Sequence, residues 1–388
     1  MDKRIRIGII YIWDNNWLGG KYYLQNLLVA LNTLSDEKKP VVNLYCLNDT
    51  SFVEFQKNTG YPYLVKSIVK ENKIFKILRR VLFFFSKEMA IKISTFSLNP
   101  ADNLVFPLFY GSDVEKMISW IPDFQEKRLP EYFSDSERRR RDYIVRSTCE
   151  RGIPIVFSSY DSQNDFREFY PEYVSHPTFV VHFSVKKPLL SNLSISVLKN
   201  KYGIKKPYIL CANQFWQHKN HLFLFRAFEK VLKMGIDLQL VCTGKMEDYR
   251  RPHYIDEIKT FLNINNLNDD ILTLGVIDKD ELICLMKNSY AVIQPSLFEG
   301  WNTTVEDCKA MNKFVFLSDI GVHREQIDKN VCFFNPRDED DLAEKLLNVY
   351  PTETIQDYSV CVRKFGEDFY RIVESFTNNH CGCYSKTS

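Results

Sequence analysis

The sequence predicts an α/β fold made of two doubly wound domains that face each other across a cleft. Three observations support this prediction. The chain has 388 residues, which is more than one hydrophobic core usually serves. Short apolar runs alternate with helix-like segments, as expected when the strands of a parallel sheet are buried on both faces. These runs form two successive series, separated by a loop-like stretch near residue 190.

The first series defines a predicted domain over residues 1–190. It opens with the strand-like run "IRIGIIYI" at 5–12, and leucines then recur at three- and four-residue steps over 21–34, which indicates an amphipathic helix. A last helix is predicted at 360–376 and is expected to pack back on this domain, leaving 377–388 as a tail. The other strand-like runs of this series are "VVNLYC", "LVFPLF", "MISWI", "IPIVFSS" and "FVVHF".

The second series defines a predicted domain over residues 191–359. The loops that follow the strands of an open parallel sheet lead into the ligand crevice. Across both domains, three such loops carry unusual residues, at 13–20, 211–221 and 295–307. The strand-like runs of the second series are "PYILCA", "DLQLVCTG", "ILTLGV", "AVIQPS", "FVFLSD" and "VCFF", and its predicted helices are 220–234, 253–263, 279–288, 303–312 and 338–349.

Composition narrows the class of protein. The formal net charge is +2, with 45% hydrophobic and 26% charged residues, so the chain is expected to be globular and not to bind nucleic acid. Its ten cysteines lie mostly in apolar runs, which predicts buried thiols in a reducing compartment. The terminal "HCGC" is interpreted as part of the tail and not as a metal site. No run is long enough to cross a bilayer, and the start does not resemble a signal peptide, so a cytoplasmic location is expected.

The stretch "PSLFEGWNTTVEDCKAMNKFVFLSD" at 295–319 places acidic residues around the start of a predicted helix. Asn302 or Thr303 can cap that helix, and the spacing of Thr303 and Glu306 fits a capping box. A helix start attracts phosphate through its free amides, and carboxylates one step further out can accept hydrogen bonds from sugar hydroxyls. Glu299 and Asp307 therefore indicate a nucleotide sugar. The alternative is that both acids only complement the helix dipole.

The segment "EGWNTTVED", followed by "AMNKFVFLSDIGVHREQI", resembles the C-terminal signature of the group 1 glycosyltransferases (glycosyltransferase family 4). These are retaining enzymes with the GT-B fold of two Rossmann-like domains. The resemblance implies that Glu299 bonds the transferred sugar and that Asp307, which replaces the usual Glu, bonds the ribose. The residues implied to bind the donor at this turn are Glu299, Gly300, Trp301, Asn302, Thr303, Thr304 and Asp307.

A second motif, "NQFWQHKNH", lies between a strand and a helix. Lys219 at the helix start opposes the helix dipole, which is explained if an anion binds beside it; the alternative is a solvated surface lysine. The motif is similar to a form found in bacterial surface-polysaccharide enzymes. The family usually has an Arg where this chain has Gln214, so His218 or Arg324 is a candidate to compensate. The resemblance implies donor binding by Asn213, Gln214, His218 and Lys219.

The first domain offers further candidates. The pair Gly19 and Gly20 is expected in the loop before the first helix, where glycines allow backbone amides to approach a phosphate or sugar. The segment "ISWIPDFQEKRLPEYFS" resembles a family segment whose His touches the donor sugar, and Glu126 holds that position here. Asp123 and Glu126 are therefore candidate catalytic residues beside Glu299 and Lys219.

The segment at 71–93 combines an apolar helical stripe with several cations. Such a helix can lie on an anionic membrane, or it can pack on the sheet with solvated lysines. The run "SERRRRDY" at 136–143 is interpreted as a solvated helix face, with an acceptor contact as the alternative. The expected location is the cytoplasm, or the inner face of the membrane as a peripheral protein if 71–93 binds lipid.

The resemblance predicts a retaining transfer of sugar from a nucleoside-diphosphate sugar to a hydroxyl of a glycan or lipid-linked glycan acceptor. No metal and no cofactor are predicted, since no Asp-x-Asp element follows a strand at the cleft. Two alternatives remain open: a sugar-nucleotide epimerase or hydrolase of the same fold, and a non-catalytic partner subunit.

Overall fold

The computed structural model describes residues 4–12, 18–70, 74, 77, 78, 81, 89, 96–108, 111, 113–188 and 193–382. The chain divides into two compact units near the sequence boundary that the two strand series indicate. Residues 124–135 precede that boundary in sequence but pack with the second unit. The first unit comprises Met1–Asp123, Ser136–Lys186 and Ser359–Ser388, and the second comprises Phe124–Asp135 and Lys187–Tyr358.

The first unit contains two parallel sheets. One has the strand order β3-β2-β1-β4, the other has the order β5-β6-β7, and an isolated bridge pairs Val105 with Met117 between them. The inner strands β1 and β2 are almost wholly buried, which explains their continuous apolar sequences. The strands are β1 (Arg6–Tyr11), β2 (Val41–Cys46), β3 (Leu64–Ile68), β4 (Leu104–Phe106), β5 (Ser119–Trp120), β6 (Ile155–Phe157) and β7 (Thr178–Val180).

The N- and C-terminal helices of the first unit pack against each other. Gly366 permits their close approach, because a Cβ atom there would lie 2.3 Å from the carbonyl oxygen of Ala30. Tyr23 stacks on Trp120 at 4.0 Å between ring centroids and contacts Phe365 edge-on. The helices are α1 (Leu18–Leu31), α2 (Asp49–Thr59), α4 (Asp135–Glu150), α5 (Tyr160–Phe169) and α13 (Ser359–Gly382).

The second unit is built on one parallel sheet of six strands, in the order β10-β9-β8-β11-β12-β13. Numbered within the unit, this order is 3-2-1-4-5-6, which is typical of dinucleotide-binding Rossmann domains. The chain reverses direction across the sheet between β8 and β11, so the loops after these strands border the crevice where such domains bind ligands. The strands are β8 (Tyr208–Ala212), β9 (Gln239–Thr243), β10 (Ile271–Thr273), β11 (Ala291–Gln294), β12 (Val315–Ser318) and β13 (Val331–Phe334).

Helices cover both faces of this sheet. Two buried apolar clusters lie between the helices and the strands, one on each face, and Ile209 and Leu210 of β8 point into opposite clusters. The helices are α3 (Gln125–Arg128), α6 (Ile195–Tyr202), α7 (His221–Lys233), α8 (Tyr254–Ile264), α9 (Lys279–Asn288), α10 (Thr303–Met311), α11 (Gly321–Gln326) and α12 (Glu339–Asn348).

All the strands expected from apolar runs are present, within a few residues of their expected ends. Strand β3 was missed, because it lies at the edge of its sheet and its middle residues are exposed, so it lacks a continuous apolar run. Helix α13 runs to Gly382, six residues beyond the predicted 376, and thus includes the first part of the expected tail.

The eight cysteines that the structure describes are free, and six of them are buried, as the sequence predicted. Within the described part of the chain, no helix combines the length and the apolar character that a membrane span requires.

Candidate functional site

The candidate site lies where the loops after β8 and β11 meet. The amide of Leu297 donates to the carbonyl oxygen of His218 at 2.8 Å and joins the two loops. The hydroxyl of Thr304, in the first turn of α10, donates to the carbonyl oxygen of Ala212 at the end of β8, at 3.1 Å. These contacts hold both predicted loops, 211–221 and 295–307, together at the reversal point of the sheet.

Lys219 and Glu299 form an ion pair at this point. The Lys219 Nζ lies 2.5 Å from Glu299 Oε1, and the two side chains are only 18% and 10% exposed. The same carboxylate oxygen accepts a hydrogen bond from Asn302 Nδ2 at 3.2 Å. The structure therefore brings together the two residues that the sequence named first as catalytic.

The start of α10 is capped by Asn302, one of the two expected candidates. Its Oδ1 accepts from the amides of Thr304 and Val305 at 3.0 and 3.3 Å. Its own amide donates to Gln326 Oε1 at 3.2 Å. The expectation of free amides is thus wrong at Asn302, Thr304 and Val305, whereas the amides of Gly300 and Thr303 donate to no other described residue.

Glu306 does not form the expected capping box. Its side chain is fully buried, and the backbone amide of Asn302 donates to Gln326 and not to Glu306. The carboxylate instead accepts hydrogen bonds from Lys309 at 2.8 Å, Gln326 at 2.9 Å and the hydroxyl of Tyr358 at 2.5 Å. Asn302 already occupies the cap, so Glu306 is free to serve as an internal anchor and is not available to a ribose.

Asp307 lies about 100° further around α10 and is half-buried. Burial raises the pKa of its carboxyl to about 7, the nearby Lys279 opposes this shift and Glu306 adds to it. Lys279 is the first residue of α9. Asp307 is thus the acid of this helix that remains available to a hydroxyl-bearing ligand.

The loop after β8 runs through a 3₁₀ turn at Gln217–Lys219 into α7. Lys219 therefore lies just before the helix. Asn213 is buried, and its Nδ2 has no hydrogen-bond partner among the described residues. A buried, unpaired donor is costly unless a ligand or water completes it. Only glycine fits at 244, because a Cβ there would lie 2.1 Å from the carbonyl oxygen of Asn213.

The two candidates to compensate for Gln214 are His218 and Arg324. Burial, followed by the charges of Lys219 and Arg250, lowers the pKa of His218 well below its usual value, so the imidazole is neutral. Arg324 makes two hydrogen bonds to the carboxylate of Asp319, at 2.7 and 2.8 Å. The structure thus shows His218 as uncharged and Arg324 as paired, and compensation for Gln214 by either residue stays a prediction.

Arg250 is a cation beside this loop that sequence reasoning missed. Its guanidinium lies 4.8 Å from the ring centroid of Trp216 and 4.0 Å from that of Phe133. Asp248, two residues earlier, accepts from the amide of Gln217 at 2.8 Å. The run "DYRR" at 248–251, with four residues between it and the end of β9, was the available signal, because it lies in the loop that follows this strand at the ligand edge of the sheet.

The remaining candidates belong to different units. Gly19 and Gly20 lie in the first turn of α1 and not in the loop before it, and residues 13–17 are outside the described part of the chain. Asp123 belongs to the first unit, where its carboxylate lies 3.6 Å from Arg141. Glu126 is buried in α3 and belongs to the second unit. Their predicted catalytic roles stay predictions.

The described residues contain no group of three His, Cys, Asp or Glu side chains placed to hold a metal ion. Whether the reaction needs a metal stays a prediction from the resemblance.

The sequence model of the family described as "Glycosyl transferases group 1" matches residues 195–357, the part of the chain that forms this site. This segment is therefore similar to the group 1 glycosyltransferases. The chain is also 25% identical over 223 residues to the O-antigen chain mannosyltransferase RfbU of Salmonella typhimurium. The alignment covers 57% of this chain and 58% of that relative, less than two thirds of its length.

Solved glycosyltransferase structures resemble the whole chain. Anabaena HepE in complex with UDP and glucose has a TM-score of 0.61 at 14% identity, with coverage of 99% of this chain and 100% of that one. A glycosyltransferase from Rickettsia africae has a TM-score of 0.57 at 18% identity, and the lipopolysaccharide outer core galactosyltransferase WaaB in its apo form has 0.53 at 15%, both with coverage of 99% and 100%. The chain therefore has the GT-B fold, as predicted.

Proposed function

We propose that this protein transfers a sugar from a nucleoside-diphosphate sugar to a hydroxyl group of a glycan acceptor. The observation that carries the proposal is the Glu299 carboxylate, which Lys219 and Asn302 hold at the reversal point of the second sheet. A carboxylate fixed in this way can accept hydrogen bonds from the hydroxyls of a sugar, and the ammonium group beside it can balance a diphosphate.

The residues around Lys219 and Glu299 are suited to bind the nucleotide-sugar donor. The unpaired Nδ2 of Asn213 and the amides of Gly300 and Thr303 are hydrogen-bond donors suited to phosphate and sugar oxygens. Asp307, just over one helical turn into α10, is the proposed acceptor of hydrogen bonds from the ribose diol. Anabaena HepE has been solved in complex with UDP-glucose, and this supports a nucleotide sugar as the donor of the present chain.

The chemistry that follows is a retaining transfer without a metal ion. The leaving diphosphate gains negative charge as the glycosidic bond breaks, and Lys219 stabilises that charge. A phosphate oxygen of the donor accepts the proton of the attacking hydroxyl. No residue of the chain is then required as a nucleophile, in agreement with a site in which Glu299 is already engaged by two partners.

The acceptor is proposed to be a glycan or a lipid-linked glycan of a surface polysaccharide. The name of the Salmonella relative, an O-antigen chain mannosyltransferase, supports this class. Most of 71–93 lies outside the described residues, but Ile77, Leu78 and Val81 are described there and are 62%, 42% and 47% exposed. Their spacing places them on one helical face, which supports peripheral contact with the inner face of a membrane.

The test is a thermal-shift screen of the full chain with UDP, GDP, dTDP and ADP sugars, followed by product analysis with and without a glycan acceptor. We expect one nucleotide class to raise the melting temperature, and sugar to appear on the acceptor with the anomeric configuration retained. Free or epimerised sugar formed equally well without acceptor would favour an epimerase or hydrolase. Binding of no nucleotide would overturn the proposal and favour a non-catalytic subunit.

A further inference from the structure

His323 is a fully buried histidine in α11 that the proposed reaction does not yet use. Its Nδ1 lies 2.9 Å from the carbonyl oxygen of Ser318, which can only accept, so Nδ1 carries the hydrogen. Burial lowers the pKa of His323 to about 4, and the ring is therefore neutral at working pH. The remaining nitrogen, Nε2, is then a hydrogen-bond acceptor.

That acceptor faces the amide of Asn302. The distance from Asn302 Nδ2 to His323 Nε2 is 3.4 Å, and Gln294 Oε1 lies at the same distance from Nδ2. Glu299 Oε1 lies at 3.2 Å. The Asn302 NH₂ group thus points into a set of three acceptors, while its Oδ1 caps α10.

The orientation of this amide matters to the site. If the Asn302 side chain turned over, its oxygen would face the Glu299 carboxylate and the cap on α10 would be lost. A neutral imidazole with its lone pair toward Asn302 favours the observed orientation. An imidazolium ion would donate toward the NH₂ group and disfavour it, and an apolar side chain would leave it unsupported.

We propose that His323 is a positioning residue that acts through Asn302 to hold Glu299 in the direction required by the donor sugar. This inference rests on the proposed function, since it concerns the same site. His323 touches no reacting atom. It keeps the NH₂ group of Asn302, and not its oxygen, directed at the Glu299 carboxylate. Glu299 in turn contacts the sugar of the donor and not its nucleotide.

Substitution of His323 should weaken only the contribution that the sugar makes to donor binding. The measure is the ratio of the dissociation constants of a nucleoside diphosphate and of its sugar ester, because this ratio isolates what the sugar contributes to binding. Isothermal titration of the full chain with UDP, GDP, dTDP and ADP, and with a sugar ester of each, supplies the ratio for the nucleotide that binds. We expect His323→Phe, which keeps a ring but has no acceptor, to lower the ratio by about tenfold while the diphosphate alone binds within about twofold of wild type.

Two further variants separate positioning from packing. His323→Gln restores an acceptor and should recover most of the ratio. His176→Phe is the matched control, because His176 is a half-buried histidine of the first unit bonded to the carbonyl oxygen of Ile153, and it should leave the ratio unchanged. In a Glu299→Ala background, His323→Phe should have no additional effect, since the residue through which it acts on the sugar is gone.

The outcomes divide clearly. An unchanged ratio in a folded His323→Phe variant, or an equal loss for diphosphate and sugar ester, would overturn the inference. If that variant does not fold, Asn302→Asp tests the same link, because it keeps an oxygen for the cap but removes the NH₂ donor; an unchanged ratio there overturns the inference as well. Failure of the wild-type chain to bind any of these nucleotides or their sugar esters would instead overturn the proposed function.

Discussion

At the scale of single residues, Lys219 and Glu299 show how two side chains 80 positions apart in the chain become one unit. Each is mostly buried, and each is the other's charged partner. Removing one charge leaves the other uncompensated, which is more costly than removing both. The sequence named both residues but did not show that they neutralise each other before a donor binds.

Glu299→Gln is expected to slow sugar transfer by about 100-fold, because the neutral amide keeps the shape but cannot accept sugar hydrogen bonds with a charge. The measurement is the initial rate with the donor found in the screen, together with the melting temperature. Lys230→Ala, which removes an exposed ion pair with Asp340 on α12, is the control and should leave the rate unchanged. A Glu299→Gln rate close to wild type would contradict the assignment of this carboxylate.

Asp307 connects nucleotide binding to pH. Its pKa is about 7 in the folded protein and lower when unfolded, so the folded state binds more protons between about pH 4 and pH 7. Stability without ligand therefore falls as pH rises through that window. At pH 8, Asp307→Asn removes a half-buried charge and should increase the free energy of unfolding by about 1 kcal/mol, which raises the melting temperature by about 3 °C. At pH 5 the carboxyl is already protonated, so the increase should be much smaller.

The same substitution should weaken nucleotide binding at pH 8, because the ionised carboxylate is the ribose acceptor in the proposal. Melting curves at both pH values and a titration with the selected nucleoside diphosphate measure the two effects. Asp256→Asn on the exposed face of α8 is the matched control. Equal shifts in melting temperature at pH 5 and pH 8 would show that Asp307 does not carry this pKa.

At the scale of elements, polar side chains fasten the extended segment 351–358 to the second unit. Asn312 and Asn330, both with positive φ, bind the backbone of Gln356 and Thr354 through their amide groups. Tyr358 adds the bond to Glu306 in α10. The helix that carries the candidate acids is thereby tied to the segment that leads into α13.

The direction in which Gly366→Ala changes stability tests how closely α1 and α13 pack. In an ordinary helix, glycine to alanine stabilises by up to about 1 kcal/mol. In α13 the added Cβ would lie 2.3 Å from the carbonyl oxygen of Ala30, so α1 and α13 must separate. We expect Gly366→Ala to destabilise the protein by about 1–3 kcal/mol in thermal unfolding. A higher melting temperature would mean that the two helices do not pack this closely.

At the scale of the whole molecule, the first unit has two sheets and the second has one, and each unit has its own buried core. Most of the candidate donor residues belong to the second unit. A ligand that binds only the folded form stabilises the unit to which it binds, by about 2.7 kcal/mol at a concentration 100 times its dissociation constant. The two units should therefore respond differently to a nucleotide.

Hydrogen exchange measured with and without the selected nucleoside diphosphate tests this expectation. Peptides that cover 213–220 and 295–307 should exchange more slowly with ligand, because their loops and the start of α10 contact it. Peptides from β2 and β3 in the first unit are the internal control and should be unaffected. Protection confined to the first unit would contradict the placement of the donor.

The sequence by itself determined the two strand series, the loops at 211–221 and 295–307, and the acids and lysine they carry. Strands buried on both faces must be apolar throughout, and a motif of neighbouring residues is visible without a fold. Only the tertiary structure decided that Glu306 turns inward, that residues 124–135 join the second unit, and that His323 meets Asn302. These outcomes depend on contacts between residues distant in the chain, which no local pattern of residue types encodes.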